Sequence, residues 1–105
     1  MELLEKRIYY IELLHAYGDL LSNAQLEILT DYLDCDLSLS EIADNRGISR
    51  AAVEDAIKKR MKKLDSFEET IGYVSKKENI LKNTAVLKEK FGNCEEIESI
   101  EEVLK

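Results

Sequence analysis

An all-α fold is what this chain of 105 residues predicts, and three observations predict it. There is no proline and there are only four glycines, Gly18, Gly47, Gly72 and Gly92, so few positions interrupt a helix. Strand-like alternation between hairpin turns is absent, while apolar residues recur at three-to-four spacing. Residues 38–60, Ser-Leu-Ser-Glu-Ile-Ala-Asp-Asn-Arg-Gly-Ile-Ser-Arg followed by Ala-Ala-Val-Glu-Asp-Ala-Ile-Lys-Lys-Arg, read as two short helices joined by a tight glycine turn. That is the layout of a helix-turn-helix. The length fits a single domain over 1–105, with the helix-turn-helix at 38–63 and a C-terminal helical extension at 66–105.

The first helix is predicted over residues 2–17. Leu3, Leu4, Ile8, Ile11 and Leu14 form one stripe, and Tyr9, Tyr10, Leu13, Ala16 and Tyr17 carry apolar character almost round it. A surface helix needs one apolar face, so this one is either the central core helix or also a contact with a second subunit. Gly18 ends it. Ser22-Asn23-Ala24-Gln25 is a capping box; the helix it opens turns Leu26, Leu29, Tyr32 and Leu33 inward and finishes near Asp34–Asp36. The acidic residues Glu27, Asp31 and Asp34 on its outer face would repel a phosphate backbone and are expected to face elsewhere.

Ser38-Leu39-Ser40-Glu41 repeats the capping box. Ile42 and Ala43 point inward, Gly47 makes the turn, Ile48 plugs that turn into the core, and Ser49 caps helix four. Val53 and Ala56 or Ile57 give helix four its buried side. Beyond Lys63, both Ser66-Phe67-Glu68-Glu69 and Ser75-Lys76-Lys77-Glu78 satisfy the cap pattern. The stretch is therefore either two helices broken near Gly72–Ser75 or one long helix, with Leu64, Phe67, Ile71 and Val74 inward. Ile80, Leu81, Leu87 and Phe91 form the next face, which Gly92 closes in the left-handed conformation. Asn93-Cys94-Glu95-Glu96 opens a last acidic helix bearing Ile97, Ile100, Val103 and Leu104.

The formal net charge is −7, which is unfavourable for general affinity to a polyanion. Its distribution is uneven. Residues 40–63 hold seven Lys/Arg against four acids, leaving this window at +3 in a chain that is otherwise −10. Local field decides where a phosphate backbone docks. On the solvent side of helix four the candidate nucleic-acid-binding residues are Ser49, Arg50, Ala51, Glu54, Lys58, Lys59 and Lys62, with Arg46 in the turn. Arg50, in the first turn, is placed either to fork onto guanine or, with Ser49, to hold phosphate at the helix N-terminus. Lys58, Lys59 and Lys62 come late in the helix and are expected on backbone. Glu54 and Asp55 either accept from cytosine or pair with Lys58 and Lys59 at i+4.

Leu39-Ser40-Glu41-Ile42-Ala43, Gly47-Ile48-Ser49-Arg50 and Val53 resemble the promoter-reading domain, region 4, of bacterial sigma factors. A wider set of segments resembles the small YlxM/p13-like family of bacterial helix-turn-helix proteins. These segments are Tyr9–Gly18 with Leu20 and Leu21, Leu29–Leu33, Asp36–Ala43, and Ile48–Val53 followed by Asp55 and Ile57-Lys58-Lys59. The likeness runs over residues 7–92. It implies a sigma region 4-like three-helix core with additional N-terminal and C-terminal helices. Because genes of that family lie beside those of the signal recognition particle GTPases, it also implies a regulator of the expression or assembly of the protein-targeting particle. Glu54 and Asp55 depart from the sigma pattern.

No catalytic arrangement is present, so no enzyme is expected. His15 has Glu12 within one turn but no nucleophile or metal partner, and no glycine loop cradles phosphate. Cys35 and Cys94 lie far apart without a CxxC, which fits free thiols in a reducing cytoplasm, Cys35 as a small core residue. No metal or cofactor is expected. Acidic Glu2 and Glu5 at the start argue against a secretory signal, and no run is long enough to span a membrane. The expected partners are DNA and a second copy of the chain in a homodimer. The alternative is a protein or RNA partner in the targeting pathway, since three-helix cores of this type also bind proteins.

Overall fold

The computed structural model describes residues 3–105, with side chains from Glu5 onward. The expected start at residue 2 and the side chains of Leu3 and Leu4 lie outside the described residues. The described chain is all-helical: α1 (Leu3–Tyr17), a 3₁₀ turn (Gly18–Leu20), α2 (Asn23–Leu33), α3 (Leu39–Arg46), α4 (Arg50–Ile71), α5 (Tyr73–Phe91) and α6 (Glu95–Leu104). It divides into two compact units, one ending at Ile71 and the other Gly72–Lys105. No helix among the described residues is long and apolar enough to cross a membrane.

In the first unit the core is built from Leu13, Leu14 and Tyr17 of α1, Leu29 and Leu33 of α2, Ile42 and Ala43 of α3, and Val53, Ile57 and Leu64 of α4. Both capping boxes form. The amide of Glu41 donates to Ser38 Oγ at 3.1 Å, and that of Gln25 to Ser22 Oγ at 3.4 Å. Polar ties between distant segments fix α1. Arg7 donates to the carbonyls of Tyr32 (2.6 Å) and Leu33 (3.3 Å) and to Asp36 Oδ1 (2.9 Å). A cation is thus placed on the orphan carbonyls at the end of α2, where the helix dipole favours it. The Tyr10 hydroxyl donates to Asp65 Oδ2 at 2.7 Å, and the Tyr17 hydroxyl donates to Glu68. Burial, then donation to Asp65, pushes the Tyr10 hydroxyl up to about 12.

Several expected positions are occupied differently. Ile48 does not plug the turn; it is 41% exposed, because its amide bonds back to the Ala43 carbonyl (3.2 Å) and its side chain faces solvent. Cys35, read as a core residue, is exposed beyond the end of α2, and Cys94 is exposed too; both are free thiols. His15 pairs with Asp34 at the C-cap of α2 (2.9 Å). Ser66 and Ser75 both lie inside helices and not at N-cap positions; the break falls at Gly72, which takes one left-handed step (φ 67°) before α5. Gly92 ends α5 at φ 82°, ψ 170°, a region open to glycine but not the left-handed helical one that was expected.

In the second unit α5 and α6 meet around Thr84 and Ile97. The Thr84 hydroxyl bonds to the Leu81 carbonyl (2.9 Å), and Lys88 pairs with Glu101, holding the Glu101 carboxyl below its ordinary range. The face expected inward on α5 is largely open. Phe91 is 79% exposed, with Ile80 and Leu87 also on the surface, and Ile71 at the end of α4 is exposed as well. One short helix has too little apolar surface to cover four turns of another.

Candidate nucleic-acid interface

The sequence of caps and turns between Ser38 and Ser49 sets the geometry of the α3–α4 pair. Gly47 (φ 65°, ψ 32°) is the left-handed C-cap of α3, and its amide bonds to the Ala43 carbonyl. A Cβ placed there would meet nothing within 4 Å, so the glycine is required by the backbone angle and not by crowding. Two residues later Ser49 caps α4, its Oγ accepting from the Ala52 amide at 3.0 Å. Ala43 is buried in this pair, where its small side chain lets the helices approach. The result is α3, a three-residue turn and a 22-residue α4 whose first turn is exposed.

Ser49, Arg50 and Ala51 are all exposed at the start of α4. Val53, Ile57 and Leu64 define the buried side. At about 100° per residue, Ala51, Asp55, Lys58 and Lys62 form a stripe opposite them, with Glu54 beside it. Glu54 pairs with Lys58 at 3.3 Å and Asp55 with Lys59 at 3.0 Å, both between exposed side chains. The carboxylates are therefore matched along the helix, as one of the two expectations had it. Arg50 and Lys62 have no ion pair among the described residues.

Arg46 is placed differently from the other candidates. Its guanidinium bonds to Asp31 Oδ2 at 2.7 Å and Glu27 Oε2 at 3.3 Å, and its Nε is buried with no partner. The bond to Asp31 in particular holds it protonated even more firmly than is usual for arginine. The acidic face of α2 was expected to look away from the motif; instead two of its carboxylates are bonded by the last residue of α3, whose single charge offsets one of them. The cation at Arg46 is thus committed within the fold. Nothing in local sequence marks this contact, since Asp31 and Arg46 stand on different helices. The surplus of acid on α2 beside a lone arginine at the end of α3 was the only available hint.

An open groove of about 370 Å³ lies between α1 and α4, lined among others by Lys6, Tyr10, Lys58, Lys62 and Asp65. Sequence reading had assigned α1 no part in the site. Among the described residues no group of three or more His, Cys, Asp or Glu is arranged to hold a metal ion.

A protein-family model described as "Putative helix-turn-helix protein, YlxM / p13 like" matches residues 4–103. A UPF0122 protein of Fusobacterium nucleatum is 40% identical over 85% of this chain and 86% of its own length. One from Clostridium acetobutylicum is 34% identical over 97% of this chain and 94% of its own length. A shorter match, 50% identical over 61% of this chain and 55% of its own length, comes from Acetivibrio thermocellus. No solved structure matches the chain.

Proposed function

Since the chain belongs to the YlxM/p13-like family of helix-turn-helix proteins, we propose that it is a cytoplasmic DNA-binding regulator and that the pathway it regulates is that of the signal recognition particle. The observation carrying the DNA reading is the exposed flank of α4. Arg50 stands open in its first turn, and Lys58, Lys59 and Lys62 follow along the outward side. In this reading Arg50 and Ala51 face base edges, Ser49 and the free amides beside it hold phosphate, and the later lysines lie on the backbone. Glu54 tunes that face through its pair with Lys58. Arg46 acts as a clamp between α2 and α3.

A homodimer belongs to the same proposal, because one small module buries little interface and a two-fold site needs two recognition helices. Support for it comes from the second unit more than from α1, whose Leu13, Leu14 and Tyr17 are consumed in the core. Two helices spanning Gly72–Lys105 fall below the roughly 40 residues at which a lone core suffices, and Phe91 and Val103 are 79% and 78% exposed.

The double variant Lys58→Glu, Lys59→Glu tests the DNA reading. Retention of duplex DNA by the full chain should fall on the order of tenfold or more, and the salt slope should drop by about two. Unchanged retention, with loss of a protein partner instead, would favour the second reading. That reading is an accessory module of the targeting machinery that binds protein or RNA. The net charge of −7 and the five glutamates of α6 are what speak for it.

A further inference from the structure

We infer that the groove between α1 and α4 is a second grip on the DNA backbone, in which Lys6, outside the helix-turn-helix, holds the strand from the side opposite α4. The inference rests on the DNA reading above and extends it to α1. Of the eight residues lining this groove of about 370 Å³, four are lysines (Lys6, Lys58, Lys59 and Lys62) and two are carboxylates (Asp55 and Asp65). The two carboxylates of the groove are already engaged: Asp55 pairs with Lys59 at 3.0 Å, and Asp65 accepts from the Tyr10 hydroxyl at 2.7 Å. Lys6 and Lys62 have no ion pair among the described residues. Within a chain of net charge −7, this groove gathers four lysines against two carboxylates.

The Tyr10–Asp65 bond sets the spacing of the walls, because it joins α1 to α4 directly. Lys6 precedes Tyr10 by four residues, one helical turn, so it stands on the same face of α1. Tyr10 is in this sense a positioning residue and Lys6 a contact. The occupant follows from distance and charge. Arg50 and Lys62 are twelve residues apart, about 18 Å along the helix axis, whereas the major groove is about 12 Å wide. With Arg50 at the bases, the Lys58–Lys62 segment has already crossed onto the flanking strand. A strand there runs past the mouth of the α1–α4 groove, with a phosphate about every 3.4 Å of axis. The lysines lie on both walls of an open groove, Lys6 on α1 and the others on α4, which suits a chain of phosphates.

The test compares Lys6→Glu and Lys6→Gln with Lys82→Glu in the full chain. Lys82 is exposed on α5 in the second unit and is in no ion pair among the described residues. Lys82→Glu therefore carries the same change in net charge on the other unit. Binding to a DNA duplex enriched by selection from a random pool is measured across a salt series, with melting curves confirming that each variant folds. Lys6→Gln should reduce the salt slope by about one, and Lys6→Glu should weaken binding on the order of tenfold, with Lys82→Glu within about twofold of wild type. If Lys6→Glu tracks Lys82→Glu while the Lys58, Lys59 variant loses DNA, the groove assignment is overturned and the DNA reading survives. If the wild-type chain retains no duplex DNA, both fall. Preference for an RNA duplex with the same dependence on Lys6 overturns the DNA occupant.

Discussion

Arg46→Met distinguishes an internal clamp from a phosphate contact, because the two roles predict opposite readouts. Methionine keeps most of the apolar stem and removes the charged fork. Two carboxylates then lose their partner. Glu27 is 65% exposed and its bond is long at 3.3 Å, so its loss is in the range of a surface pair, about 0–1 kcal/mol. Asp31 is 25% exposed and its bond is 2.7 Å; hydrogen bonds to charged groups are worth about 1.5–3 kcal/mol. Against this, the buried Nε of Arg46 has no partner, and deleting it recovers about 1 kcal/mol of desolvation. The net expectation is a destabilisation of about 1–2 kcal/mol. For a chain of this size each kcal/mol lowers Tm by about 4–8 °C. Thermal unfolding followed by circular dichroism reads that shift, and a salt series of DNA binding on the folded variant reads the slope. The clamp predicts a lower Tm with an unchanged slope. An unchanged Tm with a slope reduced by about one would refute it and return Arg46 to the phosphate surface.

Three further expectations follow from single features. Gly47→Ala should cost about 1 kcal/mol in urea unfolding, with Gly47→Asn costing less. The added Cβ has open space around it, so the penalty is that of a φ of 65° alone; an unchanged midpoint would contradict this. The Tyr10 hydroxyl is raised to about 12 in the fold against 10 when free. Its contribution to stability is therefore full below pH 10 and lost as pH rises from 10 to 12. Tyr10→Phe should flatten stability against pH in that window, and one of the five tyrosines should ionise late in the ultraviolet titration of the wild type. Sedimentation equilibrium should give twice the monomer mass at micromolar concentration, and Phe91→Lys should shift it toward the monomer. A wild-type monomer would remove the homodimer.

What the sequence made legible was local. Both capping boxes, the Gly47 turn and the buried positions Ile42, Val53, Ile57 and Leu64 are fixed by neighbours three or four residues away, and periodicity reports such neighbours. The exposed basic flank of α4 was legible for the same reason, and so were its two i,i+4 ion pairs. Contacts between helices were not. Arg7 on the α2 terminus, Tyr10 with Asp65 and Arg46 with Asp31 join segments 15 to 55 residues apart. Helical spacing carries no information about such pairs. Ile48 and Phe91 mark the opposite failure. Apolar character was read as burial, yet one sits on a turn whose backbone bonds already close it and the other is the last residue of α5. Hydrophobicity gives a preference for the interior, and topology decides whether an interior exists at that position.

An acidic chain can present a cationic flank because its positive charges differ in how firmly they are held. Arg46 is bound across helices in a partly buried site and offsets part of the negative charge of α2, the element whose acidity would otherwise reach the motif. Lys58 and Lys59 are held only by exposed i,i+4 pairs, each worth about 0.3–0.5 kcal/mol. Releasing a lysine from such a pair costs less than RT, whereas a phosphate contact gains counterion release. In the proposed complex phosphate would therefore compete for those lysines, leaving Glu54 and Asp55 to solvent or to a cytosine amino group. In that complex the same carboxylates would make contacts with arbitrary sequence less favourable, because Lys58 and Lys59 must first leave their partners and both carboxylates must tolerate the strand. Replacing Glu54 and Asp55 together with glutamine and asparagine should thus tighten binding to random duplex DNA, measured as a non-specific affinity at low salt. It should narrow the ratio between selected and random sequence. A variant that bound random DNA no better than wild type would mean that these two charges do not face the nucleic acid at all.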